Sequence, residues 1–188
     1  WVYHRDGRLD AHAFDSVDCG EYYSLARNIV RHGAFSQNKT APFSPDTWRT
    51  PGYPMLLAAG MLFVGDSPTG LIFLQHLAAI GSVLLFFKIA SRYLSAGRAA
   101  IAAAVFWVEP YHLFYSFWLL STSFFTLTLL VTWWAWERAR ESATARHWVT
   151  LGLLSGFLVL IWTGAVLIPF FVVAGLALHF RRKNNATH

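Results

Sequence analysis

Residues 70–91 read GLIFLQHLAAIGSVLLFFKIAS, a run in which Lys88 is the one charged side chain. A helix that crosses a bilayer needs about 20 mostly apolar residues. The run meets that requirement and predicts a span that ends at Lys88 and Arg92. Further along the chain the pattern recurs. Residues 98–115 are apolar apart from an interruption at Glu109 and Pro110, and 117–136 (FWLLSTSFFTLTLLVTWWAW) carry no charge. Residues 148–180 are too long for one span and fit two short ones turned near Thr163–Gly164. Upstream, residues 52–64 (GYPMLLAAGMLFV) are too short to span and predict a helix lying in the membrane interface. The fold class expected is an all-α polytopic membrane protein, with residues 70–181 forming a bundle of about five spans.

Composition agrees. The chain is 55% hydrophobic and only 13% charged, about half the charge of an ordinary soluble domain. Such a composition excludes a disordered chain, and the single Cys19 excludes a disulfide scaffold. The first residue is Trp1 and no Met precedes Met55, which predicts a segment of a longer protein. Residues 1–51 hold six of the fifteen Lys and Arg and six of the ten Asp and Glu. They predict a polar outer loop, 1–69, with juxtamembrane helices at about 20–33 and 52–64, and 182–188 form a basic tail. Lys and Arg collect on the cytoplasmic side of a membrane. With the loop outside, the inner segments hold nine basic and two acidic side chains, net +7. The outer segments hold six basic and eight acidic, net −2. The overall +5 is therefore a topology signal, and nucleic acid is excluded as a partner.

Two outer segments carry candidate chemistry. In DCGEYYSLARNIVRHGAFS, residues 18–36, apolar residues recur at Tyr22, Leu25, Ala26, Ile29 and Val30, one face of a helix, and Gly33 falls at its C-terminal cap. Asp18 and Glu21 stand at the start with capping-box spacing. They read either as caps or as a general base and its support, at a helix end that favours negative charge. In FSPDTWRTPGYP, residues 43–54, Pro45, Pro51 and Pro54 predict a rigid, extended course, with Gly52 free to turn between them. Arg49 reads either as an arginine snorkelling to the headgroups or as a planar fork on a lipid-linked phosphate, with Lys39, Arg27 and Arg31 in support. Glu109, before Pro110, is either a functional acid near a span end or a group at headgroup level.

Other features carry less. His76 and His112 read as packing histidines and share no metal-ligand spacing. Trp133, Trp134 and Trp136 predict an interfacial aromatic belt. Asn38–Thr40 and Asn185–Thr187 fit the glycosylation sequon, a pattern short enough to arise by chance. No P-loop, dinucleotide fingerprint or G-x-S-x-G occurs, which removes nucleotide-driven pumps and serine hydrolases.

The pattern D-x-x-E-Y-x-x-L-A-x-N-I-x-x-x-G-x-F-S from Asp18, followed by R-T-P-G-Y-P-x-L-L-A from Arg49, resembles the first outer loop of GT-C fold glycosyltransferases. More narrowly, it is similar to the bacterial relatives of protein O-mannosyltransferases and of the lipid A aminoarabinose transferase. LFVGDS, the run from Phe73 to Leu94, EPYHLFYS and LGLLSGFLVL resemble later parts of the family, the last with Gly152 and Gly156 as a G-x-x-x-G packing face. The resemblance covers roughly residues 15–181, about the N-terminal half of a typical member. It implies a GT-C-like bundle in the plasma membrane, with a site on the periplasmic or extracellular side. It also implies a polyprenyl-phosphate sugar as donor and a glycan, lipid or protein as acceptor. No cofactor is firmly implied, and a divalent cation is left open.

Carried over by position, the resemblance makes Asp18 the catalytic carboxylate, which activates the acceptor or steadies charge at the anomeric carbon, Glu21 its support, and Arg49 with Lys39 the donor-phosphate ligands. Many relatives carry an acid at the position of Thr122 and an Arg near Trp162 and Thr163; this chain carries neither, and Glu109 is the expected substitute. The competing expectations are a transporter or scaffold without catalysis, or a truncated, degenerate relative.

Overall fold

A computed structural model describes residues 17–142 and 144–185. Residues 1–16 of the expected outer loop and 186–188 of the expected tail, with part of the second sequon, lie outside them. So do the side chains of Arg182 and Lys183. Among the described residues the chain is helix and loop, with no strand. The helices are α1 (Val17–His32), α2 (Gly52–Val64), α3 (Pro68–Ala90), α4 (Ala96–Trp107), α5 (Pro110–Tyr115), α6 (Thr122–Ser142), α7 (Ala145–Ile161) and α8 (Leu167–Asn185). A 3₁₀ turn at Thr163–Val166 joins α7 to α8.

Local chemistry sets the boundaries. Gly33 ends α1 at φ +64, where a side chain would be strained, and its N–H donates to the Ile29 carbonyl at 3.0 Å. Ser67 caps α3 by accepting from the Gly70 N–H at 3.1 Å, with Pro68 at the first helical position. The extended course expected through Pro51 and Pro54 is instead the start of α2. Pro51 caps the helix and Pro54 sits in its first turn, where no N–H is needed.

Three further expectations are corrected. The 98–115 stretch is broken into α4 and α5, because Glu109 is the N-cap of α5 and Pro110 its first residue. The third apolar stretch becomes helical at Thr122, five residues later than expected, leaving 116–121 irregular. Gly152 and Gly156 face open space; Leu151, Ser155 and Leu158 form the packed face of α7.

The helices α3, α6 and α7 pack side by side. Their two ends carry different contacts. At one end Arg92 pairs with Glu141, and Lys88 and Arg138 stand 5.1 and 5.0 Å over the Trp134 ring. At the other end α1, α2, residue Leu119 and the close of α7 share a core built on Cys19, Tyr53, Leu57, Leu71 and Ile161. A second ion cluster ties α1 to the α2–α3 link. There Asp66 takes Arg27 at 2.9 Å, Arg31 at 2.5 Å and the Tyr23 hydroxyl.

Among the described residues α3 alone is long and apolar enough to cross a membrane. Its outer face carries exposed Phe73, Leu77, Ile80, Leu84 and Phe87, a stripe that would cost free energy in water.

Candidate active site

Residues 34–51 carry no regular structure, so side-chain hydrogen bonds fix their course. Buried Asn28 reaches from α1 and donates to the carbonyls of Ser36 (2.6 Å) and Asn38 (2.8 Å). Asp46 accepts from the backbone N–H of Trp48 (3.0 Å) and of Arg49 (2.8 Å), an Asx-type turn, and from Gln37 at 2.6 Å. Thr50 donates to the Ile161 carbonyl at 3.2 Å, which joins the loop to the end of α7. Directly behind it, Gly52 lies so close to α7 that a Cβ there would stand 2.5 Å from the Leu160 carbonyl carbon. The glycine is needed for that close approach and sits in a helical turn. The free turn expected from the sequence is not its role.

The loop delivers Arg49 onto the first turn of α1. Its Nε donates to Glu21 at 2.6 Å and its Nη2 to Asp18, while the guanidinium lies 5.1 Å over the Tyr22 ring. Two carboxylates and one guanidinium leave one negative charge in excess. Arg49 is the most buried of the three, with 16% of its side chain exposed against 50% for Asp18. Burial disfavours the Arg49 charge, but the hydrogen bonds to Asp18 and Glu21 outweigh it and hold the guanidinium cationic beyond its ordinary range. Burial likewise pushes the Tyr22 hydroxyl up, against the pull of Arg49.

Asp18, Tyr22 and Arg49 of this cluster form one wall of a cavity of about 640 Å³, and Glu21 is not part of its lining. A further wall comes from the end of α5, the irregular segment and the start of α6, with Tyr115, Trp118, Leu120, Ser121 and Thr122. Trp48, Trp162 and Thr163 complete it. Aromatic faces beside a carboxylate suit a polyhydroxylated ring, which offers hydroxyls to the acid and C–H groups to the indoles.

Residues 48–188 match the family described as dolichyl-phosphate-mannose-protein mannosyltransferase. The chain belongs to that family. It is thus a relative of GT-C-type membrane glycosyltransferases. No curated protein and no solved structure gives a significant match. The family match takes in Arg49 and the far wall of the cavity and begins beyond Asp18 and Glu21.

Of the residues singled out in the sequence, this mannosyltransferase-family chain brings Asp18, Glu21 and Arg49 together. Asp18 and Glu21 hold Arg49 as well as starting a helix. Lys39 is exposed and lies outside the cavity lining. Arg27 and Arg31 are engaged by Asp66. Glu109 does not line the cavity either; its carboxylate caps α5 by accepting from the N–H of Tyr111 (3.2 Å) and His112 (2.7 Å). Thr122, Trp162 and Thr163, the positions at which the resemblance led to the expectation of an acid and an Arg, do line it. Among the described residues no group of three or more His, Cys, Asp or Glu converges as metal ligands.

Sequence reasoning missed Asn28, Asp46 and Gln75. A polar residue inside an apolar run, as in FLQHL, was the available signal for Gln75; Asn28 and Asp46 look like ordinary loop and helix polar residues until their partners are seen.

Proposed function

We propose that the cavity is the transfer site of a multi-pass plasma-membrane glycosyltransferase that opens to the periplasm or cell exterior. The observation that carries this is the pairing of Asp18 and Arg49 on one wall of the 640 Å³ cavity, with Glu21 holding Arg49 from outside the lining, at the end of the bundle away from Lys88, Arg92 and Arg138. Further exposed apolar side chains support several spans: Ile101 and Val105 on α4, Leu153 and Leu160 on α7, Phe170 and Val173 on α8.

In this reading the donor is a polyprenyl-phosphate sugar and the acceptor a hydroxyl of a glycan, lipid or protein. Asp18 takes the proton as the acceptor oxygen attacks the anomeric carbon. The bond from that carbon to the phosphate oxygen breaks, with inversion, and the phosphate leaves on its lipid. Arg49 holds Asp18 and Glu21 in place through Nε and Nη2, and Nη1 remains for the phosphate. Glu21 orients Arg49. Lys39 lies off the cavity lining and is given no role in this reading.

The test follows label on polyprenyl-phosphate sugars in membranes holding the parent or Asp18→Asn. The expected result is donor consumption that falls at least about 100-fold in the variant while insertion is unchanged. Consumption that survives in Asp18→Asn would reduce Asp18 to an Arg49 partner. A second reading, a relative that binds donor without transferring, is favoured by one observation: the cavity carries Thr122 and Trp162 where the resemblance led to the expectation of an acid and an arginine. Donor binding without consumption by the parent would select it.

A further inference from the structure

Gln75 is buried near the start of the long apolar helix α3, with 0% of its surface exposed. Its side-chain amide donates to three backbone carbonyls, Tyr115 (3.2 Å), Ser116 (3.2 Å) and Trp118 (2.5 Å). Its oxygen accepts from the hydroxyl of fully buried Tyr53 at 2.9 Å. Both functional ends of the amide are therefore engaged, and two N–H donors are shared among three acceptors.

The three carbonyls belong to the last residue of α5 and to the break between α5 and α6. Residues 116–121 have no helical ladder and keep only local turn bonds, among them the Trp118 N–H to the Tyr115 carbonyl at 3.4 Å and the Leu120 N–H to the Trp118 carbonyl at 2.7 Å, in a largely apolar surrounding. Gln75 adds a second donor to both of these carbonyls and one to that of Ser116. Irregular backbone in such surroundings persists only where other groups take up its hydrogen bonds, or where it lines a cavity. Here both hold, since Trp118 and Ser121 line the cavity. The other end of the relay reaches the acidic wall. Tyr53 packs edge-on against Tyr22 with ring centres 4.9 Å apart, and Tyr22 lies under Arg49.

We infer that Gln75, oriented by Tyr53, is a positioning residue for the cavity, holding the 116–121 wall at a set distance from the Asp18–Tyr22–Arg49 wall. The part that concerns sugar transfer rests on the reading given under Proposed function; the anchoring of the wall does not.

The experiment therefore has two arms, on the protein in nanodiscs. Ser121→Cys places a thiol in the wall, and the native Cys19 is buried. Maleimide labelling at that thiol then reports how freely the wall opens, with no reference to activity. Gln75→Leu removes all four hydrogen bonds, and Ser82→Ala is the control. Ser82 is equally buried on α3, but it bonds only to the Ala78 carbonyl of its own helix, at 2.9 Å. In Gln75→Leu, labelling is expected to rise at least about threefold, and donor KM about tenfold with a smaller change in kcat. Ser82→Ala should match the parent in both. A side chain that only stabilised the bundle would shift thermal stability without a selective rise in KM. Tyr53→Phe, which leaves the amide donors in place, should give an intermediate labelling rate.

Labelling in Gln75→Leu equal to that of the parent overturns the inference. So does increased labelling with an unchanged KM, which would make the wall irrelevant to the donor. If the parent transfers from no donor while the labelling difference stands, the transfer reading fails and the anchoring role survives.

Discussion

Gly52→Ala is the sharpest test of how the site is assembled. The added Cβ would lie 2.5 Å from the Leu160 carbonyl carbon, 2.6 Å from its oxygen and 2.7 Å from the Ile161 nitrogen. Ordinary carbon contacts need about 3.5 Å or more, so one element has to retreat by roughly 1 Å. The neighbours are backbone atoms of α7 and cannot rotate away. Overpacking of this kind costs about 1–3 kcal/mol. In a chain of this size that corresponds to a fall on the order of 5 °C in thermal midpoint. The retreat also separates Thr50 from the Ile161 carbonyl, now 3.2 Å apart, and displaces Trp162 and Thr163 from the cavity. The assay is the heat-step midpoint of monodisperse protein in detergent, with donor KM measured on the unheated sample. Gly152→Ala is the comparison. Nothing lies within 4 Å of the Cβ it adds, and alanine is better than glycine in a helix by up to about 1 kcal/mol. Its midpoint is expected to hold or rise. A Gly52→Ala variant with parental midpoint and KM would refute the close approach of α2 to α7. A damaging Gly152→Ala would restore the G-x-x-x-G packing face that the structure leaves open.

Further outcomes follow from the ion pairs. Arg49→Lys keeps the charge but cannot reach Asp18 and Glu21 with separate, coplanar donors. Its kcat/KM should fall about 10–100-fold, measured as donor consumption, while the helical circular dichroism stays parental; full activity would show that the fork is unnecessary. Asp66→Asn releases Arg27, Arg31 and the Tyr23 hydroxyl. Because both arginines are nearly half exposed, the loss should stay below about 1 kcal/mol, shrink further in high salt, and leave donor KM unchanged. Glu109→Gln should retain transfer, because the acid caps α5 and lies off the cavity; loss of transfer at parental stability would return Glu109 to the site.

Local pattern and composition determine much of this protein. The helix at 52–64, the end of α1 at Gly33 and the turn at Thr163–Gly164 follow from apolar runs and a glycine. Each is decided within a few residues of chain or by the composition of a segment. The pairing of Asp18 with Glu21 was legible in the same way, since three residues on a helix is one face. Their partner was not. Arg49 stands 28 residues from Glu21, and the Asp46 turn and the Asn28 bonds decide where its guanidinium lands. Lys39 and Glu109 show the converse: suitable chemistry in the sequence, carried elsewhere by the fold.

Gly52 and Gln75 mark what only the tertiary structure decided. In the sequence Gly52 reads as a free turn, and its actual constraint is a backbone more than 100 residues later. Gln75 reads as an isolated polar residue in an apolar run, and its meaning lies in three carbonyls about 40 residues downstream. Hydrophobic periodicity reports which face of an element is buried. It carries no information about which distant backbone a polar side chain will meet, or how closely two helices approach. Those are fixed only when the whole bundle closes.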